Sequence, residues 1–320
     1  MKKKVFDVIV IGSGSGLIIS SRAIELGLKV AIVEKGKFGG TCLNSGCIPS
    51  KMLIHSADIA EIIRNSKIFG VDSKIIGINW NKIQKRVWST IDKEAKEIEE
   101  GNKRLKNVKI YKSQAEFVGD KLIKSGNEII KGEKIFICAG TRPMIPDIPG
   151  LTSVKYYTSD DVMRLEKQPK KIIIVGGGYI AAELGHFFSS LGTKVMMVVR
   201  RTLLKNEDEE ISEKYTDVAL KKYNVLLNAN ILRVYKKGKN IVMEIEQNKK
   251  RKKIIADTLL LASGRIPNTD ILAVEKTKVK INKNGFIDVN EYMETNVNGI
   301  YAIGDIAGRY MFKHSANLEA

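Results

Sequence analysis

Two stretches of this chain are built alike: an apolar run, a cluster of glycines, a helical pattern and a second apolar run. The first stretch opens with Val5-Phe6-Asp7-Val8-Ile9-Val10-Ile11, which reads as a buried parallel strand, and continues through Gly12-Ser13-Gly14-Ser15-Gly16-Leu17. Ile18 to Leu26 has helical character and stops at Gly27; a second strand, Lys29 to Val33, ends on Glu34. Strand, glycine-rich turn, helix, strand and an acid about 20 residues after the turn form a dinucleotide-binding unit. Gly12 permits the tight turn. Gly14 lets backbone approach a pyrophosphate at a helix N-terminus, where N–H groups and the dipole favour anions. Glu34 would accept hydrogen bonds from an adenosine ribose. Leu17 stands where a third glycine would ease helix–strand contact, and Gly16 beside it offers partial compensation.

The second stretch runs Lys171-Ile172-Ile173-Ile174-Val175, then Gly176-Gly177-Gly178-Tyr179-Ile180-Ala181, then a helix to about Leu191-Gly192 and a strand from Lys194 to Val199. Ala181 fills the third fingerprint position, as the pattern allows. The strand ends on Val199, where a unit selecting NAD carries an acid, and Arg200-Arg201 follow with Lys205 nearby. Guanidinium groups pair with a 2′-phosphate that an acid would repel, which predicts NADPH over NADH. The other reading of these basic residues is a solvated rim, which leaves NADH open. Two such units imply two dinucleotides and two domains, for which 320 residues suffice. The fold class expected is α/β, with two doubly wound, Rossmann-like dinucleotide-binding domains.

Directly after the first unit comes Gly39-Gly40-Thr41-Cys42-Leu43-Asn44-Ser45-Gly46-Cys47-Ile48-Pro49-Ser50-Lys51. Two of the three cysteines, Cys42 and Cys47, lie five residues apart in it, close enough to form a disulfide once folded. In a chain this poor in cysteine the clustering points to reactivity more than packing. The first unit should then hold a flavin and the second the nicotinamide. Cys138, in the apolar run Ile135 to Ala139, reads as inert core.

Composition narrows the class. Hydrophobic residues at 43% and charged residues at 28% are globular values. No apolar run approaches the roughly 18 residues of a membrane span. Met1-Lys2-Lys3-Lys4 is basic like the start of a signal peptide, but Val5 to Ile11 is interrupted by Asp7 and flows into the first glycine turn. With few cysteines as well, the expected compartment is the cytoplasm, with no membrane partner. Net charge is 54 − 36 = +18. The cations are dispersed, apart from Arg200-Arg201 and Lys249 to Lys253, and no zinc spacing or aromatic-basic motif accompanies them. Anionic cofactors and a solvated surface account for the charge, so no nucleic-acid partner is expected. No metal-ligand cluster is found. Trp80, Ile83, Val87, Ile91, Ala95 and Ile98 fall at helical spacing, so Asn79 to Glu100 reads as an amphipathic helix.

In this order the motifs resemble the pyridine nucleotide–disulfide oxidoreductases, the flavoenzyme group of dihydrolipoamide dehydrogenase, mercuric reductase, glutathione reductase and mycothione reductase. The resemblance extends over nearly all 320 residues. It includes Ile135-Phe136-Ile137-Cys138-Ala139-Gly140-Thr141-Arg142-Pro143, Leu259-Leu260-Leu261-Ala262-Ser263-Gly264-Arg265-Ile266-Pro267-Asn268 and Ile300-Tyr301-Ala302-Ile303-Gly304-Asp305. It implies FAD and NADPH or NADH as cofactors. Cys47 is similar to the thiol facing the flavin, and Cys42 to the interchange thiol that attacks the substrate disulfide. Lys51 matches a lysine near the flavin, and Glu183 an acid that pairs with it. Asp305 matches the acid that hydrogen-bonds the ribityl chain, and Met311 to Ala320 resembles the helix whose start points at the flavin ring. Gly39, Gly40 and Thr41 would lie against the pyrophosphate. Gly12, Gly14, Gly16, Glu34 and Gly140 complete the flavin positions; Gly176, Gly178, Ala181, Arg200, Arg201 and Gly264 those of the nicotinamide side.

The resemblance also sets domain and partner expectations. The flavin domain should be discontinuous, residues 1–150 plus 285–320, with the nicotinamide domain at 151–284. Family members continue into a C-terminal interface domain that makes the homodimer and donates a His–Glu acid/base pair; in this sequence that domain is expected to be absent. His55, His186 and His314 each read as packing or surface residues. The redox segment is similar to dihydrolipoamide dehydrogenase, the basic pair to the NADPH-dependent reductases, and Lys51-Met52 and Lys313 to Asn317 to mycothione reductase. The implied activity is a dihydrolipoamide dehydrogenase-like exchange of electrons among nicotinamide, FAD and Cys42–Cys47, with a small disulfide or dithiol as substrate. The alternatives are an NADPH-dependent reductase of another disulfide or of mercuric ion, or a flavoprotein subunit that needs a separate interface-domain chain.

Overall fold

The computed structural model describes residues 4–320; Met1, Lys2 and Lys3, part of the basic start, lie outside the described residues. In chain order the elements are β1 (Lys4–Ile11), α1 (Gly16–Glu25), β2 (Val30–Val33), α2 (Gly40–Ser45), α3 (Cys47–Asn65) and α4 (Trp80–Lys103). Then come β3 (Val108–Tyr111), β4 (Ala115–Gly119), β5 (Leu122–Ser125), β6 (Glu128–Ile137), β7 (Thr141–Pro143) and β8 (Lys171–Val175). After these follow α5 (Tyr179–Ser190), β9 (Lys194–Val198), α6 (Glu209–Lys222), β10 (Asn224–Leu226), β11 (Ala229–Lys237) and β12 (Asn240–Gln247). The chain closes with β13 (Lys250–Ala256), β14 (Thr258–Leu261), β15 (Arg265–Pro267), β16 (Ile300–Ala302) and α7 (Lys313–Glu319). No helix among the described residues is long and apolar enough to cross a membrane.

The chain forms two compact units. One takes in residues up to Asn44, Ile91–Arg142 and Arg265–Ala320; the other takes in Ser45–Thr90 and Pro143–Gly264. The first is built on a sheet ordered β3-β2-β1-β6-β5-β4. β1, β2, β3 and β6 run parallel, while β5 and β4 turn back antiparallel. β6 is long enough to serve two neighbours along one edge: Glu128–Lys131 pairs with β5 and Ile135–Ile137 with β16. Both faces of β1 are covered, as the continuous apolar run requires. Ile9 and Ile11 pack with Phe117, Ile123, Leu272 and Val274 on one face, Val8 and Val10 with Ile19, Ala23 and Phe38 on the other.

In the second unit β10-β9-β8-β14 is a four-stranded parallel sheet, and β11-β12-β13 a three-stranded antiparallel one. The basic run Lys250–Lys253 is exposed on β13, an edge strand, where charge discourages pairing with another chain. Hydrogen bonding from Arg233, joined by Lys253, holds the Glu244 carboxyl down at about 2. The unit gathers Ser45–Thr90, which the sequence reading assigned to the first domain. Packing explains the grouping: α3 bonds to α5 through side chains, and Trp80 lies 5.4 Å from Phe187 and 6.1 Å from Phe188, ring to ring. Arg265–Asn284 groups with the first unit for a similar reason, since Leu272, Val274 and Val279 enter its core.

The boundary between units falls inside α4, the amphipathic helix read from the sequence, whose Val87, Ile91 and Ala95 are buried. Gly16 settles the missing third glycine. A Cβ on it would come within 2.6 Å of Val10 Cγ1 and 3.2 Å of Cys138 Sγ, so the tight helix–strand contact is made one residue before Leu17. Burial pushes the Cys138 thiol up to about 12, and its nearest charges, Lys313 and Glu319, have opposing effects. Gly16→Ala should therefore lose about 1–3 kcal/mol of stability by overpacking, read as a lower denaturant midpoint at unchanged m-value. Cys138 should resist iodoacetamide at pH 8 until the protein is unfolded, checked by mass mapping of the alkylated peptides.

Candidate functional site

The first glycine turn is held by backbone contact and one carboxylate. Gly12 has φ +101°, and a Cβ there would lie 2.4 Å from the Cys138 carbonyl oxygen. Gly40 has φ +66°, and its Cβ would lie 2.6 Å from Gly14 Cα, so the turn and the start of α2 touch through backbone alone. Glu34, at the end of β2, accepts from Ser13 N–H at 2.9 Å and Ser13 Oγ at 2.8 Å through Oε2, and from Gly36 N–H at 2.7 Å through Oε1. The acid read as a ribose ligand thus also organises the turn. Asn44 fastens the loop before α2: its amide donates to the Phe38 carbonyl at 2.9 Å and the Gly40 carbonyl at 3.0 Å.

A second group gathers just past β6 and β16, whose ends lie level with the end of β1. Arg265 Nε donates to Thr141 Oγ1 at 2.8 Å and its Nη2 to the Thr141 carbonyl at 2.9 Å, and Thr141 Oγ1 donates to Asp305 Oδ2 at 2.8 Å. Asn268 closes the arrangement from its side chain to the Ala139 carbonyl at 2.7 Å and from its N–H to the Gly140 carbonyl at 3.1 Å. Arg142 grips Asp270 with both terminal nitrogens, which lowers the Asp270 carboxyl. Three of the quoted motifs therefore meet at Asp305. Thr141 and Arg265 went unassigned in the sequence reading, although each stands beside a glycine that was singled out.

Thr41 and Cys42 lie in α2, and Cys47 is the first residue of the 19-residue α3. Cys42 is half-buried and Cys47 exposed. One turn on, Lys51 Nζ reaches Glu183 Oε1 of α5 at 2.6 Å, so the pair expected from the resemblance is together. Lys51 remains 60% and Glu183 33% exposed, so the pair adds little stability and serves to align α3 with α5. Further along, His186 Nε2 meets Asp58 Oδ1 at 2.7 Å, and Lys222 Nζ stands 3.0 Å from His186 Nδ1. An ammonium only donates, so Nδ1 accepts and Nε2–H donates to Asp58. Lys222 also pairs with Glu61 at 3.3 Å; burial opposes the effect, but Ser190 and Lys222 together hold the Glu61 carboxyl below its usual value. This bridge, invisible in the sequence, gives His186 an interhelical role.

In the second unit the glycine turn repeats the first. Gly176, with φ +133°, would bring a Cβ to 2.1 Å from the Ala262 carbonyl oxygen, and Gly177 one to 2.8 Å from Val199 Cγ1. Ala181 is fully buried in α5. Gly14 and Gly178 differ from their neighbours. Neither has positive φ; a Cβ on Gly14 would come no nearer than 3.8 Å to anything, and one on Gly178 would meet nothing within 4 Å. No atom of the chain crowds these two second-glycine positions, the point where a diphosphate approaches a helix N-terminus, and so both turns fit a dinucleotide. β9 ends at Val198; Arg200 and Arg201 follow it, exposed, with no ion pair among the described residues. Gly140 and Gly264 both have positive φ, +60° and +133°.

Comparison with known proteins agrees with this geometry. The family profile described as pyridine nucleotide-disulphide oxidoreductase matches residues 6–320. Mycothione reductase of Mycobacterium tuberculosis is 36% identical over 325 residues, which cover 99% of this chain and 70% of that protein. Mercuric reductase of Staphylococcus aureus is 34% identical over 98% of this chain and 58% of its own length. Dihydrolipoyl dehydrogenase of Buchnera aphidicola is 36% identical over 98% of this chain and 68% of its own length. Among solved structures, the HOCl-induced flavoprotein disulfide reductase RclA from Escherichia coli superposes with a TM-score of 0.86 at 27% identity, over 98% of this chain and 69% of that one. The chain belongs to the pyridine nucleotide–disulphide oxidoreductases, a family of enzymes that use FAD and NAD(P)H.

Proposed function

We propose that this protein is a dithiol/disulfide oxidoreductase of the dihydrolipoamide dehydrogenase kind, with Cys42 and Cys47 as its redox pair and a small disulfide or dithiol as its substrate. The observation that carries the reading is the helix that begins at Cys47 and, one turn later, joins Lys51 to Glu183 behind the second glycine turn. Bound FAD supplies a two-electron relay between the nicotinamide and the Cys42–Cys47 disulfide. Gly12, Gly14, Gly16, Gly40, Thr41, Glu34, Gly140 and Asp305 hold the flavin nucleotide; Gly176, Gly178, Ala181 and Gly264 hold the nicotinamide nucleotide. In the reducing direction the Cys42 thiolate attacks a substrate sulfur, forming a mixed disulfide and releasing the first substrate thiol. The Cys47 thiolate then attacks Cys42 Sγ, releasing the second thiol and leaving Cys42–Cys47 oxidised, ready to accept two electrons again.

The exposed pair Arg200–Arg201 favours NADPH, because two guanidinium groups just past β9 suit a 2′-phosphate. This favours a second reading of the substrate, a reductase of a mycothiol- or glutathione-type disulfide or of mercuric ion; mycothione reductase and mercuric reductase are among the relatives. Either way the partner is a small molecule.

An anaerobic titration of the FAD-loaded protein with NADPH, and separately NADH, tests the electron path. The reduced wild type and Cys42→Ser should show a long-wavelength thiolate–flavin charge-transfer band; Cys47→Ser should lack it. A band that survives in Cys47→Ser refutes the assignment of roles. Replacing Arg200 and Arg201 together by Ala should raise KM for NADPH by about 10- to 100-fold and leave KM for NADH unchanged, as expected when charge-assisted bonds to the 2′-phosphate are lost.

A further inference from the structure

Helix α3 has little apolar shape by which to fix its lengthwise position. It buries Pro49, Ser50, Leu53, Ala57 and Ala60, with Leu53 the one long apolar side chain among them. Where packing is this smooth, register falls to directional polar bonds, and three such links join α3 to α5. Lys51 Nζ meets Glu183 Oε1 at 2.6 Å, and Asp58 Oδ1 accepts from His186 Nε2–H at 2.7 Å. In the third, Lys222 of α6 couples Glu61, at 3.3 Å, to Ser190 Oγ, at 3.2 Å. Residue numbers rise together along the two helices. They therefore run parallel and start at one end, α3 at Cys47 and α5 at the second glycine turn.

The middle link has the geometry to set that register. Lys51 reaches Glu183 on a flexible four-carbon stem and is 60% exposed, so water screens the pair. His186 is a short planar ring engaged at both nitrogens. Asp58 takes one; Lys222 Nζ, at 3.0 Å, and Ser190 Oγ, at 3.3 Å, face the other. Arg86 of α4 also fastens α3, at the Met52 carbonyl (2.7 Å) and Ser56 Oγ (3.0 Å), but those bonds do not reach α5. Asp58 lies three turns past Cys47, about 16 Å along the helix, so its influence on the thiol travels through α3 and not by contact.

We infer that Asp58 and His186 are a positioning pair for the redox reaction, fixing the register of the helix that carries Cys47 and Lys51 against the helix that opens at the nicotinamide turn. This rests on the reading of Cys47 as a redox thiol and of Gly176–Gly178 as the nicotinamide turn. A reacting group misplaced by about 1 Å loses on the order of 100-fold in rate, so loss of the pair registers in the chemical step before it registers in nucleotide binding.

The test uses the FAD-loaded protein and three variants: His186→Leu, Asp58→Ala and His186→Gln, whose amide keeps a donor for Asp58 and an acceptor for Lys222. Two quantities are read: amide hydrogen exchange over residues 47–53, and the limiting rate of anaerobic reduction by NADPH with its half-saturating concentration. His186→Leu and Asp58→Ala should each speed exchange and cut the limiting rate by about 10- to 100-fold, with half-saturation unchanged. Their combination should be no worse than either alone, and His186→Gln should stay close to wild type. The Asp58 side chain is 49% exposed, so Asp58→Ala should fold and carries the test if His186→Leu does not. Exchange and limiting rate both unchanged in Asp58→Ala overturn the inference. So does a loss in His186→Gln equal to that in His186→Leu, which assigns the effect to packing of the ring. A higher half-saturating concentration at an unchanged rate overturns it as well. Wild type that neither NADPH nor NADH reduces refutes the reading of the site, and the inference falls with it; wild type and Asp58→Ala reduced alike sink the inference alone.

Discussion

Backbone touching backbone is the constraint on which this molecule is built. At Gly12, Gly40 and Gly176 neighbouring backbone atoms stand where a side chain would begin. Each is a place where helix, strand or loop is drawn closer than any other residue permits. The result in each unit is a helix whose first turn is aimed, without intervening side chains, at the space beyond the end of the parallel strands. What the site does follows from that aim, because a helix N-terminus presents donors and positive potential to whatever enters. The side-chain bonds around the turns, from Glu34 to Ser13 and from Thr141 to Asp305, refine a geometry that the glycines have already set.

Legibility in the sequence followed the range of the interaction. Patterns local in the chain could be read directly: the two strand–turn–helix units and the helical spacing from Trp80 onward. Lys51 with Glu183 was available only through resemblance, since nothing in either residue's surroundings in the chain points to the other across 132 positions. His186 with Asp58 had no such support and was read as packing; its role exists only because α3 and α5 run side by side. The same limit explains the segment Ser45–Thr90. Its sequence adjoins the first glycine unit, but the aromatic contacts of Trp80 with Phe187 and Phe188 decide its company. Leu17 taught the reverse lesson: the fingerprint position was counted correctly, but the physical need it stands for was met by Gly16.

Charge in this protein is less a bulk property than a set of appointments. Most of the surplus lysines lie on solvated faces, as along β13, where they blunt an edge. A few are held in place by geometry: Lys51 by Glu183, Lys222 between Glu61 and His186, Arg265 by Thr141, Lys313 by Ser15. These tethered cations join separate elements, α3 to α5, α6 to α3 and α5, β15 to β7 and α7 to the first glycine turn. A net charge of +18 conveys nothing of that division.

The shared edge of β6 has a consequence for how the chain is made. Its far end, Ile135–Ile137, pairs with Ile300–Ala302, residues synthesised more than 160 positions later. Until those arrive, a fully apolar stretch of the central sheet has one side unsatisfied while the whole of Pro143–Gly264 emerges between them. Nascent strands with open edges are the segments that chaperones shelter and that stray into wrong pairings. The first unit, though its first strand is made first, is therefore finished after the second. Its completion waits on a three-residue strand that leaves the ribosome only when Pro143–Gly264 has already emerged.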